Sequence, residues 1–374
     1  MSDHEPAPRP VSRITCWVPH QTAPRITETL RRLNVSEVIT ESARDVRRRR
    51  YRSRGRVTRN RVRTEDSPVD VFRLTTGRED APSSVQALIE AADLEGPGRG
   101  TIFVQHAQEY VDRVQPWIAP HSPARTEYSS LLSDLALITC VLSARGSGEQ
   151  LAELALELGT GVPLVTLGRG TGMRDRLGLL RITVPPEKEL VHLLVPALDA
   201  EGVVRQLVEE GRLNAPGRGF VYCTAVHEGL LDTSLQVGPQ EHAATMEQVV
   251  AAIDRLYAGT AWRRRFARMD EQASFGLQRQ NSEIALVCAE EWSELFINAA
   301  LRAGARGGTT TRVRRLRLDD ASVGDAARER SIISVPAATT ESIVQAIAIA
   351  GAEHPEWLDS LQVAPSPIVF TYHR

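Results

Sequence analysis

An α+β protein made of three copies of one strand–helix–strand–strand–helix–strand unit is what the sequence predicts, and three observations predict it. The stretch 213–226, Leu-Asn-Ala-Pro-Gly-Arg-Gly-Phe-Val-Tyr-Cys-Thr-Ala-Val, has a near twin at 94–105, so Pro-Gly-Arg-Gly leads into a short apolar run at Pro97 and again at Pro216. The triplet Ile-Thr-Cys ends at Cys16 and again at Cys140. The spacing between the two triplets nearly equals the spacing between the two turns, which is the mark of an internal repeat. A unit of this element order is ferredoxin-like.

The first unit spans 12–109. Residues 13–19 read as a strand and 24–33 as a helix, with Ile26, Leu30 and Leu33 at helical spacing on one face. Residues 35–41 alternate as a second strand, an arginine-rich link runs to Ser67, and 69–74 follow as a third strand. A helix over 83–92, the glycine turn and a last strand over 101–105 close the unit. The second unit, 134–228, repeats this with a helix over 149–158, strands over 163–167 and 189–195, and a helix over 200–209. Between the two inner strands lies a glycine-rich link with Gly168, Gly170 and Gly172. Residues 229–280 form a connector in which Met246, Val249, Val250, Ile253 and Leu256 recur as one face of an amphipathic helix. The third unit, 281–374, is the most divergent: strands over 283–288, 309–318, 331–335 and 367–372, helices over 293–303 and 342–350. Its counterpart of Pro-Gly-Arg-Gly is read as Ala-Pro-Ser-Pro at 364–367, a rigid turn where the others are permissive.

Composition limits what such a chain does. With 374 residues, 42% hydrophobic and 25% charged, it is expected to be a soluble protein of two or three domains. A net charge of −2 argues against a dedicated nucleic-acid binder. No window approaches the roughly 18 unbroken apolar residues of a membrane span, and the N-terminus lacks the basic-then-apolar order of a signal peptide, so a cytoplasmic location is expected. Four scattered cysteines make neither a disulfide framework nor a zinc pattern and are expected to be buried. The nine histidines show no metal-ligand spacing. With no Walker loop, nucleophile elbow or His-Glu metal helix, the sequence names no catalytic residue and no metal, and the expectation is a protein that is not an enzyme.

Two features carry functional expectations. Successive glycines let consecutive backbone N–H groups point into one concavity, the geometry that holds phosphates. This makes Gly98, Arg99 and Gly100, Gly217, Arg218 and Gly219, and the link glycines Gly168, Gly170 and Gly172 the candidate ligand residues. The competing reading is a tight turn between helix and strand. The segment 43–67 carries Arg47, Arg48, Arg49, Arg50, Arg52, Arg54 and Arg56, followed by three more arginines. So dense a cluster repels itself unless anions order it. It reads either as a solvated loop or as a docking element for an acidic partner, an anionic membrane surface or nucleic acid.

The order of elements and the residues at the turns resemble the PII signal-transduction superfamily, the PII-like branch above all. The matching positions are Gly98-Arg99-Gly100-Thr101-Ile102-Phe103-Val104, Gly217-Arg218-Gly219-Phe220-Val221, and Glu187-Lys188-Glu189-Leu190. The resemblance implies three tandem PII-like domains folding as an intramolecular pseudo-trimer, monomeric as a chain. It also implies an adenine nucleotide (AMP, ADP or ATP) bound at the glycine turns, and a loop between the second and third strands, the T-loop, that contacts a target protein such as a transporter or metabolic enzyme. Where the family places a lysine after the second glycine, this chain has Thr101 and Phe220, so phosphate charge must be met from elsewhere. The alternative is a nucleotide-independent scaffold whose arginine loop supplies the affinity.

Overall fold

The computed structural model describes residues 8–51, 61–111, 131–172, 186–232, 277–318 and 326–371, the side chains of 48–51 and 61–64 excepted. The first stretch runs β1 (Arg9–Pro19), α1 (Ala23–Arg32), β2 (Glu37–Tyr51), β3 (Arg61–Thr76), α2 (Ala81–Ala92) and β4 (Thr101–Glu109). The second runs β5 (Leu132–Leu142), α3 (Ser147–Glu157), β6 (Leu164–Gly172), β7 (Glu187–Pro196), α4 (Ala200–Glu210) and β8 (Gly219–Leu230). The third runs β9 (Leu277–Gln278), β10 (Asn281–Ala289), α5 (Ser293–Arg302), β11 (Gly307–Arg317), β12 (Ala326–Pro336), α6 (Thr340–Glu353), β13 (Leu358–Ser366) and β14 (Ile368–Thr371). Local chemistry sets several boundaries. Pro24 and Pro82 sit in the first turns of α1 and α2, where a missing N–H costs nothing. α2 ends on Asp93 in the left-handed conformation, φ 54°.

The expected architecture needs correction. Although the elements alternate in the expected order, they do not build three tandem ferredoxin-like domains of a pseudo-trimer. All strands belong to one 14-stranded sheet in the order β11-β12-β10-β13-β4-β1-β3-β2-β6-β7-β5-β8-β14-β9, with further pairings β11–β2, β11–β6 and β4–β8. These pairings close a ten-stranded antiparallel barrel. The physical reason lies in the edges. A free-standing four-stranded sheet leaves two rows of unpaired N–H and C=O groups, and closure removes them. Here β4 pairs with both β13 and β8, and β2, β6 and β11 pair with one another.

β1 is buried on both faces, as its unbroken burial from Val11 to Val18 records. Outward-facing residues pack under helices in three separate clusters: Ile14 and Cys16 under α1 and α2, Ile138 and Cys140 under α3 and α4, and Ile284 and Cys288 under α5 and α6. Successive residues on a strand point to opposite faces, so their neighbours point into the barrel, where Trp17, Phe103, Leu135, Leu194 and Val226 form an interior cluster. The cysteines are buried as expected, and burial pushes the Cys16 thiol up to about 12. The repeat cysteines Cys16, Cys140 and Cys288 lie in different clusters, and what the repeats bring towards the barrel interior is the residue before each of them.

One further expectation changes. The segment 364–367 is not a turn: Ala364, Pro365 and Ser366 lie in β13, paired with β10, and the last helix instead reaches its strand through 354–357. The amphipathic helix expected around Met246 to Leu256 lies outside the described residues. Among the described residues, no helix is long and apolar enough to cross a membrane.

A candidate anion site at the second glycine turn

The turns at 97–100 and 216–219 adopt the same backbone. Gly98 and Gly217 have φ of 78° and 72°, and Gly100 and Gly219 have φ of 129° and 149°. The second glycine of each is fixed by packing. A Cβ on Gly100 would lie 2.0 Å from the Trp17 carbonyl oxygen, and one on Gly219 would lie 2.1 Å from that of Val141. Gly100 and Gly219 therefore serve the fold. The first glycine of each turn carries an N–H outside the strand ladders.

In the first turn that N–H already holds an oxyanion. Gly98 N donates to Asp232 Oδ1 at 2.9 Å. Asp232, 3% exposed, also meets Arg47 Nη2 at 2.7 Å, and its own N–H donates to Thr101 Oγ1 at 3.0 Å. Arg47 reaches back to Asp45 Oδ2 at 2.5 Å. Burial pulls the Arg47 pKa down, but its bonds to the two carboxylates outweigh this and leave it raised. Burial also pushes the Asp45 carboxyl up, against the pull of Arg47. The remaining space here is about 10 Å³, no more than a water fills. Arg47, expected to face a partner, is thus an internal counter-ion. Arg99 sits outside the cluster in an exposed pair with Asp93 at 3.6 Å.

The second turn differs. Among the described residues, none donates to or accepts from Gly217 N or the exposed Arg218 guanidinium; the Arg218 carbonyl accepts from Ser143 N at 3.0 Å. Gly168, Gly170 and Gly172 are strand residues of β6, all three paired to β11 and Gly168 also to β7, not a free loop. Their lack of side chains still matters. A Cβ on Gly170 would lie 2.7 Å from Lys188 Cε, so the bare backbone makes room for the Lys188 stem. Lys188 Nζ then donates to Ser143 Oγ at 3.3 Å. Lys188 is the one lysine in the chain, and it links Gly170 of β6 to Ser143, whose N–H bonds the Arg218 carbonyl of the 216–219 turn. The sequence sets it in the family-like segment Glu187-Lys188-Glu189-Leu190 but assigns it no role. The adjacent Glu189 accepts from Gly146 N at 3.0 Å and Gly148 N at 2.6 Å, closing the N-terminus of α3 with an internal carboxylate.

In the third stretch the equivalent place is aromatic. Trp357 O accepts from Ala289 N at 2.8 Å, as Arg218 O does from Ser143, and the Trp357 ring stacks on Trp292 and His354 with centroids 3.2 and 3.8 Å apart.

Of the arginine segment, Arg48, Arg49 and Arg50 lie on β2, opposite Thr64, Arg63 and Val62 of β3. The long link is therefore largely a hairpin. Arg52, Arg54 and Arg56 lie outside the described residues. Among the described residues, no group of three or more His, Cys, Asp or Glu side chains could hold a metal ion.

No protein-family model matches the chain, and no curated protein matches it. Among solved structures, B. subtilis GlnK is similar at 8% identity over 26% of this chain and 85% of that one, with a TM-score of 0.22. A microcompartment protein from Desulfitobacterium hafniense DCB is similar at 14% identity over 62% of this chain and 95% of that one, TM-score 0.17. Aspartate kinase from Synechocystis is similar at 10% identity over 94% of this chain, which spans 43% of that kinase, TM-score 0.21. Scores this low carry no argument about family, ligand or activity.

Proposed function

We propose that the protein is a non-catalytic, PII-like regulator that binds an adenine nucleotide at its second glycine turn and contacts a target protein through the β2–β3 hairpin. One observation carries the reading: two turns of the same sequence and backbone, of which the first grips a carboxylate of its own chain. An oxyanion on Gly98 N is what this backbone holds, and at Gly217 the place is left to a ligand. Lys188 and Arg218 supply the cations that a phosphate needs. The adenine moiety comes from the family resemblance, as does the idea that ligand and hairpin are coupled; such coupling requires the nucleotide to prefer one hairpin state.

Calorimetric titration with AMP, ADP and ATP tests this on wild type and on Lys188→Ala and Arg218→Ala. These side chains are the right ones to remove, because a substitution at Gly219 would disturb the fold itself. Binding in wild type, weakened about tenfold or more in each variant, in line with a lost charge-assisted bond, is the expected outcome. No heat with any nucleotide, or equal affinity in all three proteins, contradicts it. The scaffold reading rests on the hairpin alone, whose sequence carries a run of arginines on β2. A cluster of like charges is matched by an acidic surface. A salt-sensitive, nucleotide-indifferent interaction with an acidic target protein would favour it.

A further inference from the structure

Inside the barrel, register pairs Thr15 with Arg73, Thr139 with His192 and Val287 with Arg330. Arg73, His192 and Arg330 therefore occupy equivalent positions on β3, β7 and β12, each opposite the residue that precedes a repeated cysteine. The three act on one another. Burial, with Arg73 and Arg330 adding to it, lowers His192 to about 3, so His192 is neutral and bridges Thr139 Oγ1 and Thr166 Oγ1 at 3.2 and 3.1 Å. Burial first, then Arg73, brings Arg330 down to about 10.

Beside this ring lies a cavity of about 430 Å³ bounded by the first and third stretches, with Arg13, Arg73, Arg315 and Arg330 among its walls. That volume falls within the roughly 300–1,000 Å³ of small-molecule sites. Most of the interior charge is matched. Arg13 meets Glu283 Oε1 at 2.8 Å and Gln105 Oε1 at 3.2 Å, Arg73 meets Glu41 at 2.7 Å, and Asp359 takes both Arg315 at 2.8 Å and Arg328 at 2.5 Å. Glu109 accepts from Leu361 N and from Gln362.

Arg330 is the exception. Among the described residues, none hydrogen-bonds or ion-pairs with its guanidinium, and the carboxylate it feels most, Glu283, is already bound to Arg13. It keeps some accessible surface, yet protein encloses it. Because Arg330 is one of the cavity walls, the surface it keeps is explained by the cavity. Arg13 and Arg315 each retain a buried Nε donor without a partner as well. A cation enclosed by protein without a counter-ion is costly, and this one shares with those two donors the wall of a cavity large enough for a guest.

We propose that the cavity beside Arg330 binds a small oxyanion-bearing molecule, its carboxylate or phosphate head forked by Arg330 and its apolar body resting on Ile39, Ala285 and Val287. The planar fork of arginine suits a two-oxygen head, and Ile39, Ala285 and Val287 offer an apolar stretch of wall to the body. Pro10 and Glu79, exposed wall residues, mark the mouth. This site is separate from the second glycine turn and does not depend on the nucleotide reading.

The test is thermal unfolding of the full chain in the Lys188→Ala background, with sodium chloride at matched ionic strength as the reference and inorganic phosphate, butyrate and succinate as probes. A ligand bound only to the folded state raises the midpoint. The expected result is a concentration-dependent rise with the phosphate arm or a carboxylate arm, the responding arm naming the head group, and at least a tenfold weaker response in Arg330→Met. Arg330→Lys, which keeps the charge and loses the fork, should respond between the two and serves where Arg330→Met does not fold. No rise with any probe, or an undiminished rise without Arg330, overturns the proposal. Nucleotide heat retained in Arg330→Met would separate this site from the glycine turn.

Discussion

The turns at 97–100 and 216–219 share sequence, dihedral angles and close approach to a neighbouring strand, yet one is filled from within and the other is not. The first has Asp232 on Gly98 N with Arg47 behind it. The second has Arg218 next to a Gly217 N–H that no described residue accepts, with Lys188 on Ser143, the residue whose N–H bonds the Arg218 carbonyl. Identical turn sequences therefore carry different roles, decided by residues far away in the chain. A glycine motif reports a backbone shape, and only its surroundings report whether that shape is spent on the fold or kept for a ligand.

The largest effect is expected where the turns agree. Gly100→Ala and Gly219→Ala each force a Cβ onto a carbonyl oxygen at positive φ, and each should cost roughly 3 kcal/mol or more in urea unfolding. Tolerance of either would break the claim that packing fixes the second glycine.

Next comes the residue that separates them. Asp232→Ala strands Arg47 on Asp45 and leaves Gly98 N unpaired, with an expected loss of about 3 kcal/mol, the scale of a broken buried pair. Added inorganic phosphate should restore part of it by making the first turn behave like the second. A loss that phosphate leaves untouched would mean the turns are not equivalent anion cradles.

A third contrast lies inside the barrel, where the second stretch has His192 and the others arginine. His192 is held at about 3 against an ordinary value of 6.5. Below pH 6.5 the unfolded chain takes up a proton that the fold excludes. Stability should therefore fall by up to about 1.4 kcal/mol per unit as pH drops towards 3, and His192 should add no slope above about 7. His192→Gln should flatten the profile relative to wild type over that window; parallel profiles would contradict the burial of a neutral imidazole.

The smallest effect belongs to Arg99. Its pair with Asp93 is exposed at 3.6 Å, and Arg99→Ala should change stability by less than about 0.5 kcal/mol and leave nucleotide binding as in wild type.

The order of helices and strands could be read along the chain because periodicity and turn glycines are local signals: Ile26 and Leu30 mark α1, and Pro-Gly-Arg-Gly marks the entry to β4 and β8. Barrel closure could not, since β4 meeting β13 and β8 depends on edge registers between distant stretches that leave no mark within either. Arg47 looked like one more member of a basic run, and its burial is visible only once Asp232, beyond the expected end of the second unit, folds back onto it. Lys188 had a usable signal in being the sole lysine. Its reach to Ser143 follows from the missing side chain at Gly170 on the neighbouring strand, a relation that needs the register.

Titration of the wild-type chain and of Lys188→Ala with ADP, followed by calorimetry, addresses the second turn most directly. Saturable binding by wild type that falls at least tenfold with Lys188 removed, at unchanged folding stability, is what the account predicts. Wild type that takes up no ADP, AMP or ATP, or a variant that binds as tightly as wild type, would contradict it.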